Sequence, residues 1–159
     1  MPATITGDWS NYHGAGPARV VVYTRVSTLE QARGYSLHEQ VDELRYYCDR
    51  RGGRCVRVLR ETESGGTMDR PKLEWLFRLA EANAFDVLLL WKTDRLGRSN
   101  VDLQNMWAFF KALGIDVVSA TEPFDSTTAQ GKLLFDMSAM LAEWERGMIR
   151  ERAALGARG

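Results

Sequence analysis

The stretch RVVVYTRV at residues 19–26 decides the fold. Valine fills four of its eight positions, and so dense a run of β-branched side chains reads as a buried first strand. A second run, DVLLLW at residues 86–91, is short and continuously apolar, as a central strand covered on both faces requires. Between them, residues 36–51 open on Ser36 as a cap and carry Leu37, Val41, Leu44 and Tyr47 at helical spacing. Residues 54–60 predict another strand, followed by the glycine-rich loop Ser64-Gly65-Gly66-Thr67. Pro71 stands where a first helical turn tolerates proline, ahead of an apolar face of Leu73, Leu76, Phe77 and Ala80. After residue 91 the pattern predicts a helix from about Asn100 to Leu113, ended by Gly114, and a strand at 115–119. Strands alternating with helices imply an α/β domain with a central, mostly parallel sheet flanked by helices.

The composition agrees. Of 159 residues, 45% are hydrophobic, which supplies a core and excludes a disordered chain. The 21 basic and 21 acidic residues balance, so net charge does not announce a nucleic-acid partner. Seventeen of the basic residues are arginine and four lysine, a bias that codon usage explains as well as phosphate binding does. Cys48 and Cys55 are too few for a disulfide framework or a zinc site and read as two buried free thiols. No stretch has the length of a membrane span. Residues 1–17 hold Gly, Pro, Asn and Ser without an apolar run and predict a mobile arm rather than a signal peptide. The α/β core is expected over 18–125 and a long helix over 126–159.

In that last segment Leu134, Met137, Leu141, Trp144 and Met148 recur three and four apart, widened by Leu133, Met140 and Ile149. About 30 helical residues extend roughly 45 Å, more than a small sheet can cover. Part of the stripe is therefore expected to meet another chain, with a bent helix packed wholly on its own domain as the alternative.

Two places concentrate chemistry. In a strand, Tyr23, Arg25 and Ser27 share one face, and they lie at its carboxyl end, where open α/β sheets bind ligands. Read alone, they are as simply a structural Arg–carboxylate pair and a serine capping a turn. Asp94-Arg95-Leu96-Gly97-Arg98 follows the 86–91 strand and so reaches the same crest, with Asp94 able to orient a guanidinium. Three arginines converging beside a serine suit a phosphate diester, whose oxygens they bind bidentately. A serine hydrolase would need a histidine base. Here there are only His13, in the arm, and His38. No G-x-S-x-G elbow, no phosphate-cradling loop, no G-x-G-x-x-G and no metal-ligand cluster is present, so the expected site works with arginines, without metal or cofactor.

With those residues in view, the sequence resembles the serine recombinases. The resemblance rests on Tyr23-Thr24-Arg25-Val26-Ser27-Thr28 with Gln31, then Gln40, the Glu61-to-Gly65 loop, Asp69-Arg70, Asp94 to Arg98, and Ala142-Glu143-Trp144-Glu145-Arg146. Gly34-Tyr35-Ser36-Leu37 and Arg150-Glu151-Arg152 look more like the large serine integrases than the small resolvases and invertases. The family implies that Ser27 is the nucleophile joined to DNA as a phosphoserine. By the same resemblance Arg25, Arg95 and Arg98 bind the scissile phosphate, Asp94 and Gln40 orient them, and Tyr23 supports them. Arg70 assists from a mobile loop, and Glu145 and Arg146 contact partner and DNA. Glu61 and Asp69 are weaker candidates, Glu61 because relatives often carry Asp there. Outside the resemblance each has a plain alternative: Asp69 a helix cap, Gln40 a surface residue, Tyr23 core, Glu145 and Arg146 a solvated helix face.

The implied activity is site-specific DNA recombination, metal- and ATP-independent, by homodimers that pair into tetramers on DNA. Its expected setting is the cytoplasm of a prokaryote, on nucleoid or phage DNA, with a DNA-binding region beyond residue 159 and no membrane. The rivals are a related module that only dimerises and an unrelated α/β hydrolase or nucleotide-binding domain. The intact Ser27–arginine set opposes the first, and the lack of a histidine partner and of a phosphate loop opposes the second.

Overall fold

The computed structural model describes residues 7–156 except Arg33, Tyr35, residues 64–69 and Arg98. In chain order these residues form β1 (Arg19–Ser27), a short α1 (Thr28–Ala32), α2 (Leu37–Arg50), β2 (Arg54–Glu63) and α3 (Pro71–Glu81). Next come β3 (Val87–Leu90), α4 (Asn100–Ala112), β4 (Asp116–Ser119) and α5 (Ala129–Gly156). The four strands are all parallel, in the order β2-β1-β3-β4.

The period of two along β1 divides the core. Val21 and Tyr23 face one way, where Leu73, Leu76 and Ala80 of α3, Trp107 and Phe110 of α4 and Phe135 of α5 pack on Leu59, Leu88, Leu90 and Val117. Val20 and Val22 face the other way, onto Leu44 and Cys48 of α2. Ser36 caps α2 by accepting from the Glu39 N–H, and Gly114 takes a positive φ of 71° to end the helix before β4. Burial pushes the Cys48 thiol up to about 12, whereas Cys55 is only half-buried.

One expectation needs correction. From Gly7 onward the arm predicted to be mobile is docked. Trp9 is 1% exposed in the α2-side core, its N–H donates to the Arg51 carbonyl, and its own carbonyl accepts from Ala18. Over it lies the buried Arg51 guanidinium, 3.9 Å from the ring centroid and 2.7 Å from Asp125 Oδ2. Arg51 also donates to the Gly7 carbonyl, Tyr47 Oη and Thr127 Oγ1. A lone tryptophan in a polar segment has no periodicity to betray it, so only the folded neighbours reveal this lock.

The long helix α5 needs no such correction. Its inward residues are small ones and one aromatic, Gly131, Phe135, Ala139 and Ala142, with Ala139 and Ala142 set against Ala108 of α4. A Cβ at Gly131 would stand 1.7 Å from the Asp125 carbonyl oxygen, so position 131 in the first turn admits only glycine. The large apolar stripe faces outward: Leu134, Met137, Leu141 and Trp144 are all exposed, and Met148 is half-buried. Among the described residues no helix is long and apolar enough to cross a membrane.

Candidate active site

The sheet order creates the site. The chain leaves β1 toward β2 on one side and returns to β3 on the other, so β1 and β3 flank a crevice at their carboxyl ends, the usual ligand position in open parallel sheets. β3 stops where Leu90 pairs with Tyr23, four residues before β1 ends at Ser27. The vacated edge is filled by a 3-10 turn, Thr93–Arg95. Arg25 fastens that turn, donating from Nε to the Arg95 carbonyl and from Nη2 to the Asp94 carbonyl, both at 3.2 Å.

A second guanidinium holds the same turn. Arg70, at the start of α3, donates to the carbonyls of Leu96 (2.7 Å) and Arg95 (2.6 Å) and to Tyr23 Oη (2.8 Å). Tyr23 is fully buried, and that burial raises its phenol pKa against the opposing effect of Arg70. Tyr23 thus bonds to the guanidinium that holds the Arg95 turn. Arg70, expected to assist from a mobile loop, spends its terminal N–H groups as a backbone clamp.

Ser27 is half-buried, and its Oγ accepts from the Glu30 N–H at 3.1 Å, which caps α1. The Glu30 carboxylate pairs with Arg95, Oε1 to Nη1 at 2.7 Å. Sequence reading passed over Glu30, though Ser27-x-x-Glu30 is a capping-box pattern. Here the carboxylate reaches the arginine. Asp94, the expected orienter, is mostly exposed and lies 3.7 Å from Arg95 Nε.

Gln40 is buried rather than at the surface, and neither atom of its amide finds a hydrogen-bond partner. Among the described residues it makes no hydrogen bond to Arg25 or Arg95. Glu61 is also buried. It lies beside Arg25 across the β1–β2 ladder, and its Oε2 accepts from the Lys72 N–H in the first turn of α3. Burial raises its pKa, opposed by the Lys72 N–H and the Arg70 charge. It acts as a cap on α3. Glu145 and Arg146 lie along α5, where Arg146 lines a shallow hollow with Glu143, Ile149 and Arg150. Arg98 and Asp69 fall outside the described residues.

The structure therefore brings together Ser27, Arg25, Arg95, Tyr23 and Arg70, and adds Glu30. A hydroxyl beside fixed guanidinium groups at a sheet crest can bind a phosphate diester and stabilise charge on it.

Comparison with known proteins points the same way. The family model described as Resolvase, N terminal domain, matches residues 20–158. The chain is 32% identical over 134 residues to a Transposon Tn917 resolvase of Enterococcus faecalis, covering 84% of this chain and 66% of that protein. It is 32% identical over 134 residues to the DNA-invertase hin of Salmonella typhimurium, covering 84% and 64%. It thus spans about two thirds of the length of these relatives. Among solved structures, the N-terminal catalytic domain of TP901-1 integrase superposes with a TM-score of 0.67 at 33% identity, covering 82% of this chain and 98% of that one.

Proposed function

Because this chain belongs to the Resolvase N-terminal domain family, the catalytic domain of serine recombinases, we propose that it cuts and rejoins DNA at specific sites through a covalent phosphoserine at Ser27. In the proposed reaction Ser27 Oγ forms a bond to phosphorus while a bond from phosphorus to a sugar oxygen breaks, releasing a sugar hydroxyl. Religation runs the same exchange backwards, so the phosphoester energy is kept and no ATP is consumed. Arg25 and Arg95, with Arg98, bind the diester and stabilise its charge. Tyr23 and Arg70 hold the Arg95 turn in place.

The observation that carries this reading is the Arg25 guanidinium gripping the Asp94–Arg95 backbone at the end of the strand that bears Ser27. DNA is the proposed substrate, and a homodimer pairing to a tetramer the proposed working form, with the exposed stripe of α5 as the pairing surface. Glu145 and Arg146 are proposed to meet DNA or the partner along that helix. Denaturing electrophoresis with a suicide DNA substrate tests the reading: a protein–DNA adduct must form, and must vanish in Ser27→Ala. An adduct that survives Ser27→Ala would assign the nucleophile elsewhere.

A further inference from the structure

Glu30 belongs to the crest, yet nothing in the chemistry above uses its carboxylate. Its geometry is particular. One oxygen, Oε1, meets Arg95 Nη1 at 2.7 Å, while Oε2 is buried with no hydrogen-bond partner among the described residues. Arg95 Nε is buried and likewise lacks a hydrogen bond, with Asp94 Oδ1 standing 3.7 Å away. An Arg–carboxylate pair is strongest as a two-point fork. Here it is made at one point, and a buried polar atom on each side goes unsatisfied. A phosphodiester has two free oxygens and can take both arms of the same guanidinium.

The same residue also touches the nucleophile, since the Glu30 N–H holds Ser27 Oγ. α1 is five residues long, too short to be stable alone. Its first turn is steadied by this cap at one side and by the Arg95 ion pair at the other. Occupation of Arg95 and restraint of Ser27 are therefore joined in one side chain and its own backbone.

We propose that Glu30 is a positioning residue that occupies one arm of the Arg95 guanidinium and holds the Ser27 turn closed until the scissile phosphate displaces it. The inference rests on the phosphate-binding role given to Arg95 above. It makes phosphate arrival the event that loosens the restraint on the nucleophile, so an empty site keeps Ser27 engaged.

The test uses the whole chain, 15N-labelled, with inorganic phosphate as probe, following the Arg95 Nε–Hε and Glu30 amide signals by NMR. In the parent both signals shift along one isotherm. Glu30→Gln and Glu30→Ala remove the competing charge and tighten the phosphate Kd about fivefold, the scale of a partly exposed ion pair. Glu30→Asp restores a carboxylate and moves the Kd back toward the parent. Equal Kd in all four proteins overturns the inference. So does an Arg95 shift without a Glu30 shift, or phosphate that reaches Arg95 in none of them. The adduct assay separates the two ideas. If the parent forms the Ser27 adduct but Glu30→Gln leaves phosphate affinity unchanged, only the Glu30 inference fails. If the isotherms behave as stated and no adduct forms, the recombinase reading fails and the displacement stands.

Discussion

Ser27 serves as both the proposed nucleophile and the cap of α1, and the two roles can be measured apart. Because its Oγ accepts from the Glu30 N–H, Ser27→Ala should lower stability by about 1 kcal/mol, the scale of a lost N-cap. A denaturant titration checks this, and an unchanged midpoint would mean the cap contributes nothing. Arg95→Lys keeps the charge but loses the fork and the Glu30 geometry. It should reduce adduct formation at least about 10²-fold, as for removal of one preorganised donor; near-parent cleavage rates would make Arg95 structural. Glu61 gives a pH signature. Its pKa is raised in the fold, chiefly by burial, so the folded state prefers it protonated. Its contribution is most favourable below the ordinary carboxylate pKa and declines as pH rises through the raised value. Relative to Glu61→Gln, the parent should therefore gain stability as pH falls from neutral toward the usual carboxylate range. Parallel pH–stability curves for the two proteins would contradict this.

At the scale of elements, α5 is the informative one. Its inward face is lean, with Phe135, Ala139 and Ala142 against α4, while Leu134, Met137, Leu141 and Trp144 stay outside. Those four, with Ser138 and Met140, line one continuous hollow along the helix. So much exposed apolar surface in one stripe marks a binding face, and a twofold pairing of two copies is the simplest closed arrangement. Trp144 is its largest side chain. Trp144→Ala should weaken self-association by about 2 kcal/mol, a hot-spot value. Sedimentation across a concentration series reads this directly, and equal association of both proteins would move the interface to another face.

At the scale of the molecule, the arm, the α2–β2 corner and the segment leading into α5 meet in one knot. Arg51 joins them, stacked on Trp9 and paired with Asp125, whose carbonyl borders the first turn of α5 at Gly131. Trp9→Ala removes a fully buried aromatic and one wall of the Arg51 site. It should cost about 3–5 kcal/mol, as for buried Trp or Phe truncations, seen as a lower Tm. A loss below about 1 kcal/mol would show that the arm is only loosely held.

The order of elements was readable without coordinates because each rests on local rules. A run of valines must be buried, apolar residues three and four apart make a helix, and Ser36, Pro71 and Gly114 mark where helices begin and end. Strand period and position after a strand likewise place Tyr23, Arg25, Ser27 and Arg95 at one crest. What needed the tertiary structure was every relation between residues distant in the chain. The order β2-β1-β3-β4 sets the crevice between β1 and β3. The early end of β3 lets the 93–95 turn fold in beside Arg25, and it brings Glu30, rather than Asp94, onto the Arg95 Nη1. Arg70 proved a clamp, Glu61 a cap and Trp9 a core residue for the same reason. Local patterns fix backbone conformation and the facing of a side chain, whereas a long polar side chain chooses its partner only among the groups that packing carries within its reach.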